Sequence, residues 1–139
     1  MPEYQNIMTR MLGADSFPYR NITITDQVFR QATVALDSFF FIGLQDSYDL
    51  SVQVLVRELG LEDSLKLQPI KKERDQSNPV LDKSKKAIKE NESLMARAQE
   101  VNHYDAMLYQ LAVKSFCSKI KKYPDLLEKL HATTKVVCR

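Results

Sequence analysis

Apolar positions along this chain recur at helical spacing almost everywhere, and one short stretch breaks the habit. Val28, Phe29, Ala32, Ala35 and Leu36 return every three or four residues, the spacing of a single helix face. The approach Ile22-Thr23-Ile24-Thr25-Asp26 predicts the entry to that helix, with Thr23 or Thr25 as N-cap and an acidic residue in the favoured first turn. The helix is expected to run to about Ser38. Upstream, Gln5–Leu12 predicts one short helical turn in a loop, ended near Gly13. Downstream, Gln45–Ser47 turns the chain and Tyr48–Leu59 forms a further helix, stopped by Gly60. Residues 62–85 are polar, contain Pro69 and Pro79, and read as a long basic loop. From Lys86 to Lys122 the pattern is helical, either continuous or re-capped at Asn102, and beyond Pro124 a short helix covers Asp125–His131.

The exception is FFFIGL, Phe39–Leu44. An apolar run without alternation suits a strand buried on both faces, as in a parallel α/β sheet. Such a strand needs a neighbour on each edge for its backbone groups, and the chain offers only Asn21–Thr25 and Thr133–Cys138. Either one of these pairs with it, or the remaining strands lie in sequence outside these residues. The second alternative is favoured, so the chain reads as the back half of an α/β domain, mostly helical with one buried strand.

Residues 102–116, NHYDAMLYQLAVKSF, carry a different signal. At 100° per residue, Asn102, Asp105, Leu108, Tyr109, Ala112 and Phe116 fall within an arc of roughly 120°. Leu94, Ala98 and Val101 project onto the same side. Asn102 and Asp105 are polar members of a face that should be dry. A buried carboxylate is costly without partners, so this pair is expected to cap, to bridge or to serve a site, capping being favoured.

Charge is segregated along the chain despite a net charge of only +2. Lys66, Lys71, Lys72, Arg74, Lys83, Lys85, Lys86 and Lys89 crowd residues 64–89, a second basic stretch covers residues 114–139, and residues 1–61 are net acidic. Basic stretches of this kind suit either anion handling or a solvated face. They lack interleaved aromatics, so no nucleic-acid stacking platform is expected. No apolar run approaches a membrane span, and MPEYQNIMTR has no apolar signal core. Cys117 and Cys138 either pair or remain free thiols. Two sequons, Asn21-Ile22-Thr23 and Asn91-Glu92-Ser93, would matter only in a secretory lumen.

Nucleophile and metal patterns are missing. Gly13, Gly43 and Gly60 are isolated from one another, so no glycine-rich phosphate cradle exists. His103 and His131 lie far apart, without metal-ligand spacing, and His103 is expected on an exposed or half-buried helix side. Neither GxSxG nor HExxH is present.

Three blocks in succession resemble the C-terminal part of the carbohydrate sulfotransferases that use 3′-phosphoadenosine-5′-phosphosulfate (PAPS). Gln5-Asn6-Ile7-Met8-Thr9-Arg10-Met11-Leu12-Gly13 is similar to the family stretch NLQTRML-G. Phe39–Asp46, with Ser51 in the following helix, resembles FFVGLTE, although Gln45 and Asp46 stand where Thr and Glu are usual. Asn102, Asp105, Leu108, Tyr109, Ala112 and Phe116 meet the pattern N-x-x-D-x-x-L-Y-x-x-A-x-x-x-F in full. The resemblance covers roughly residues 5–120 and makes residues 1–139 the C-terminal part of a sulfotransferase-like domain of P-loop-like α/β fold, with a basic loop at 64–89 and a long helical segment at 86–122.

The resemblance implies sulfuryl transfer from PAPS, as co-substrate, to a carbohydrate hydroxyl, on a sulfated or acidic glycan, in a Golgi lumen or membrane. In the family, the phosphosulfate loop, the 3′-phosphate site and the catalytic base come from the N-terminal half. No catalytic residue and no binding of PAPS are therefore expected of this chain alone. Secondary contributions are expected from Lys71, Lys72, Arg74, Ser77 and Asn78 as a basic lid over the nucleotide, and from Arg10 facing an acidic sugar. The loop IKKERDQSNP departs from the family's Asn-x-Ser/Thr segment. Two rival readings are a non-catalytic remnant or interaction module docking through an acidic helix and an exposed strand edge, and a small helical anion-binding domain in which FFFIGL ends a core helix.

Overall fold

The structure, a computed structural model, describes residues 5–14, 23–61, 79–134 and 136–138. Its regular elements are α1 (Ile7–Gly13), α2 (Asp26–Asp37), a 3-10 turn at Gln45–Ser47, α3 (Tyr48–Glu58), α4 (Pro79–Glu90), α5 (Glu92–Val101), α6 (His103–Ile120) and α7 (Pro124–Thr133). Several element boundaries follow from local signals. Thr25 caps α2 by accepting a hydrogen bond from the Val28 amide, and Gly60 takes the left-handed conformation (φ 66°) that ends α3. Pro124 opens α7 at a position where no amide hydrogen is needed.

The architecture corrects the expected α/β class. No strand occurs among the described residues, and all their regular structure is helical. Phe39–Leu44 is an irregular connection between α2 and the 3-10 turn, and it is not buried on both faces: Phe39 is 51% exposed and Phe40 59%. The reason lies in how its backbone is satisfied. Ser51 Oγ accepts from the Leu44 amide at 2.9 Å and donates to the Leu44 carbonyl at 3.1 Å, so a serine on α3 does what a neighbouring strand would do. A Cβ at Gly43 would lie 3.1 Å from the Ser51 Cβ, so glycine permits this approach. Phe41, Ile42 and Leu44 pack on the core, and the Lys119 ammonium sits 4.8 Å above the Phe40 ring. Neither proposed partner forms a strand in its described part: Thr23–Thr25 leads into α2, Thr133 belongs to α7, and 136–138 is irregular.

A second correction concerns the basic loop, which gives way to α4 from Pro79; residues 62–78 lie outside the described residues. The long helical segment is three helices, separated at Asn91 and Asn102. The break at Asn102 turns the Leu94 side away from the core. α5 buries no residue.

α6 is the centre of the molecule. It packs against α1, α2, α3, α5 and α7, and Phe116, Ile120 and Leu108 join Val54, Leu126, Leu130 and Ala32 in one continuous core. Burial of that apolar surface is the main stabilising term, about 25 cal/mol per Å². α1 lies against α2 at Gly13, where a Cβ would fall 2.0 Å from the Val28 carbonyl oxygen, so glycine is what allows this approach. At the other end, a disulfide between Cys117 and Cys138 ties the C-terminal segment to α6.

Candidate functional site

The three motif blocks meet in space. Asp105 occupies the third position of α6, yet its carboxylate caps a different helix. Oδ2 accepts from the Met8 amide at 3.0 Å, and Oδ1 accepts from the Thr9 amide at 2.7 Å and the Thr9 hydroxyl at 2.8 Å. Met8 and Thr9 are the second and third residues of α1, whose own N-cap residue, Asn6, makes no cap bond within that helix. Asn6 instead returns the service: its Oδ1 accepts from the Asp105 amide at 3.1 Å, an N-terminal amide of α6 that lacks an intrahelical partner. In a capping box two side chains satisfy each other's backbone within one helix. Here the same exchange is split between two helices almost a hundred residues apart.

Asn102 completes the junction. Its Oδ1 accepts from the Asn6 amide and its Nδ2 donates to the Ala98 carbonyl at the end of α5, both at 2.9 Å, while Asn6 Nδ2 donates to the Val101 carbonyl. Asn6 adopts a left-handed backbone (φ 49°), a conformation that asparagine tolerates better than most residues. The carboxylate also sits where the α1 dipole favours negative charge. Of the roles open to Asn102 and Asp105, capping and bridging are the ones realised.

The same helix face reaches the second block. The Tyr109 hydroxyl donates to Asp46 at 2.8 Å, and burial together with that bond pushes the phenol up from its ordinary value. Tyr104 donates to Asp26 at 2.5 Å, which raises its phenol likewise, and its ring lies 5.3 Å from that of Phe29. Both hydroxyls therefore hold their protons and serve as fixed donors at neutral pH.

Between α1, α2 and α6 lies a groove of about 220 Å³ lined by Met8, Met11, Leu36, Leu108, Tyr109 and Ala112 among others. Its walls are apolar, so it suits an apolar group better than an anion. Among the described residues no cluster of His, Cys, Asp or Glu is placed to hold a metal ion. No helix among them is long and apolar enough to cross a membrane.

Arg10, expected to face an acidic sugar, is buried on α1 at 3% exposure, facing the interior rather than solvent. Lys71, Lys72, Arg74, Ser77 and Asn78, the expected basic lid, lie outside the described residues. His103 is exposed, as its helical position implied.

Two features had no clear sequence signal. Glu58, at the end of α3, is held by Lys119 (2.8 Å), by Lys122 (2.9 and 3.1 Å) and by the Tyr123 hydroxyl (3.0 Å). The Lys119 and Lys122 ammonium groups bring its carboxyl down to about 2. Part of the C-terminal basic stretch is thus committed to an internal partner. Arg57 grips Asp125 through two bonds of 2.7 Å, a bidentate pair that joins the end of α3 to the start of α7. Compared with the models of known families, with curated proteins and with solved structures, the chain finds no match.

Proposed function

We propose that this chain is a helical C-terminal part of a PAPS-dependent carbohydrate sulfotransferase. It would act in sulfuryl transfer to a sugar hydroxyl by supporting a catalytic half that other sequence supplies. One observation carries this. Polar residues of the first and third family-like blocks bond to each other, Asn102 and Asp105 to Asn6 and Thr9, and Tyr109 of the third reaches Asp46, which stands where the family has Glu. Blocks that merely share helix periodicity have no reason to choose each other's polar groups.

Sulfuryl transfer is an in-line displacement governed by positioning and by charge stabilisation. The junction would contribute positioning, holding α1 fixed against α6. Contact with the nucleotide would fall to Lys71, Lys72, Arg74, Ser77 and Asn78. None of these is assigned a chemical step. The test is transfer of radiolabelled sulfate from PAPS to a panel of desulfated glycans by the protein of the complete reading frame. Transfer is expected, and the Lys71→Ala/Lys72→Ala/Arg74→Ala variant is expected to bind 3′,5′-ADP more weakly by calorimetry. The isolated chain is expected to bind no nucleotide. Absence of both transfer and nucleotide binding in the complete protein would overturn the proposal.

A second reading, a helical interaction module without catalysis, is favoured by the all-helical architecture and by the open apolar groove beside exposed Met8 and Met11. Its strand-edge component lapses, since no strand exists among the described residues. Cooperative unfolding of the isolated chain, together with a complete reading frame that binds no nucleotide, would select it.

A further inference from the structure

The five asparagines of the chain divide by what they do. Asn6 and Asn102 are spent on the α1–α6 junction through both ends of their amides, and neither starts a sequon. Asn78 precedes proline. The remaining two, Asn21 and Asn91, each head an Asn-x-Ser/Thr triplet without proline at the middle position. Asn21 lies outside the described residues; Asn91 does not.

Asn91 sits at the junction of α4 and α5, and Asn91, Glu92 and Ser93 are all exposed. Its Oδ1 accepts from the Leu94 amide at 3.0 Å, capping α5, and its backbone is extended (φ −86°, ψ 94°). That arrangement separates the two ends of the amide. The cap uses the carbonyl oxygen, while Nδ2 makes no hydrogen bond among the described residues. α5 buries no residue, so a bulky group on Nδ2 would project from the outer arm without touching the core. An independent observation speaks for the compartment in which such chemistry occurs. Cys117 and Cys138, both buried, are joined in a disulfide, a bond that persists in secretory and extracellular settings and is rare in the cytosol.

We infer that Asn91 is an N-glycan acceptor and that the chain folds in an oxidising secretory lumen. In the step itself, Asn91 Nδ2 forms a bond to the anomeric carbon of an oligosaccharide carried on a polyprenyl diphosphate. The carbon–oxygen bond to the diphosphate breaks, the lipid diphosphate leaves with the electron pair, and the amide proton passes to a base of the transferring enzyme. The inference does not draw on the sulfotransferase proposal.

The test is expression of the full chain behind a cleavable leader in a eukaryotic secretory pathway, followed by peptide:N-glycosidase treatment and mass spectrometry. The expected result is conversion of Asn91 to Asp on glycan release. Ser93→Ala, which removes the sequon and keeps the α5 cap, is expected to migrate one glycan lighter than wild type. Both cysteines are expected to resist alkylation until a reductant is added. Recovery of unmodified Asn91 in the secreted, disulfide-bonded protein would overturn the inference. So would equal mobility of wild type and Ser93→Ala, or free Cys117 and Cys138 thiols in the secreted chain.

Discussion

α6 and the α4–α5 arm are neighbouring helical stretches, and they hold their places by opposite means. α6 buries Leu108, Ala112, Phe116, Cys117 and Ile120 and contacts five other helices. α5 buries nothing, α4 packs on α5, and the arm's ion pairs are exposed ones, Lys86 with Glu90 and Arg97 with Glu100. Such pairs contribute on the order of 0.5 kcal/mol each. The arm is helical by local propensity and capping, while α6 is fixed by packing and by bonds to distant residues. A motif residue on α6 is therefore under many constraints at once, whereas a residue on the arm is free to carry charge or a covalent group.

That contrast is broken most easily at Phe116, which is fully buried. Phe116→Ala should cost about 4 kcal/mol, read as a fall in the urea midpoint at unchanged slope. A smaller but more local effect is expected from Asp105→Ala, which removes three bonds at the N-terminus of α1. The loss should be about 2 kcal/mol, and hydrogen exchange should quicken at the Met8 and Thr9 amides first. Uniform loss of protection throughout α6 would show instead that the junction is not a separable unit.

Acid titration probes the other end of α6. The Glu58 carboxyl is lowered from 4.5 to about 2 by Lys119 and Lys122. A group depressed in the folded state adds stability that is complete above its unfolded value and fades as pH falls through the folded one. Wild type should therefore exceed Glu58→Gln in stability at pH 7, and the gap should close between about pH 4.5 and pH 2. A gap that persists at pH 2 would exclude the ion pairs as its source. The smallest effect belongs to the arm: Lys85→Ala on α4 should stay within about 0.5 kcal/mol of wild type by the same denaturation.

Much of the secondary structure was legible from pattern. The helices over Val28–Leu36 and over Tyr48–Glu58 and the stop at Gly60 each come from signals within a turn or two of the residues concerned, whereas Asn102, open in the sequence as a cap for the following helix, makes no side-chain cap to α6. FFFIGL is apolar without being a strand, because apolarity reports burial without reporting a hydrogen-bond partner. Ser51 supplied that partner from the next helix, where no local pattern announces it. Asn102 and Asp105 stood out in sequence as polar residues on a dry face, but nothing in residues 102–116 named Asn6 and Thr9 as the groups they serve.

The sequence by itself determined where most of the helices form and which of their faces are apolar, because propensity, capping and periodicity act over a few residues. The tertiary structure alone decided which cap serves which helix, which lysines neutralise Glu58 and whether Cys117 meets Cys138. Those contacts join residues tens of positions apart, and a hydrogen bond or a disulfide is selected by ångström-scale distance, which only the packed chain sets.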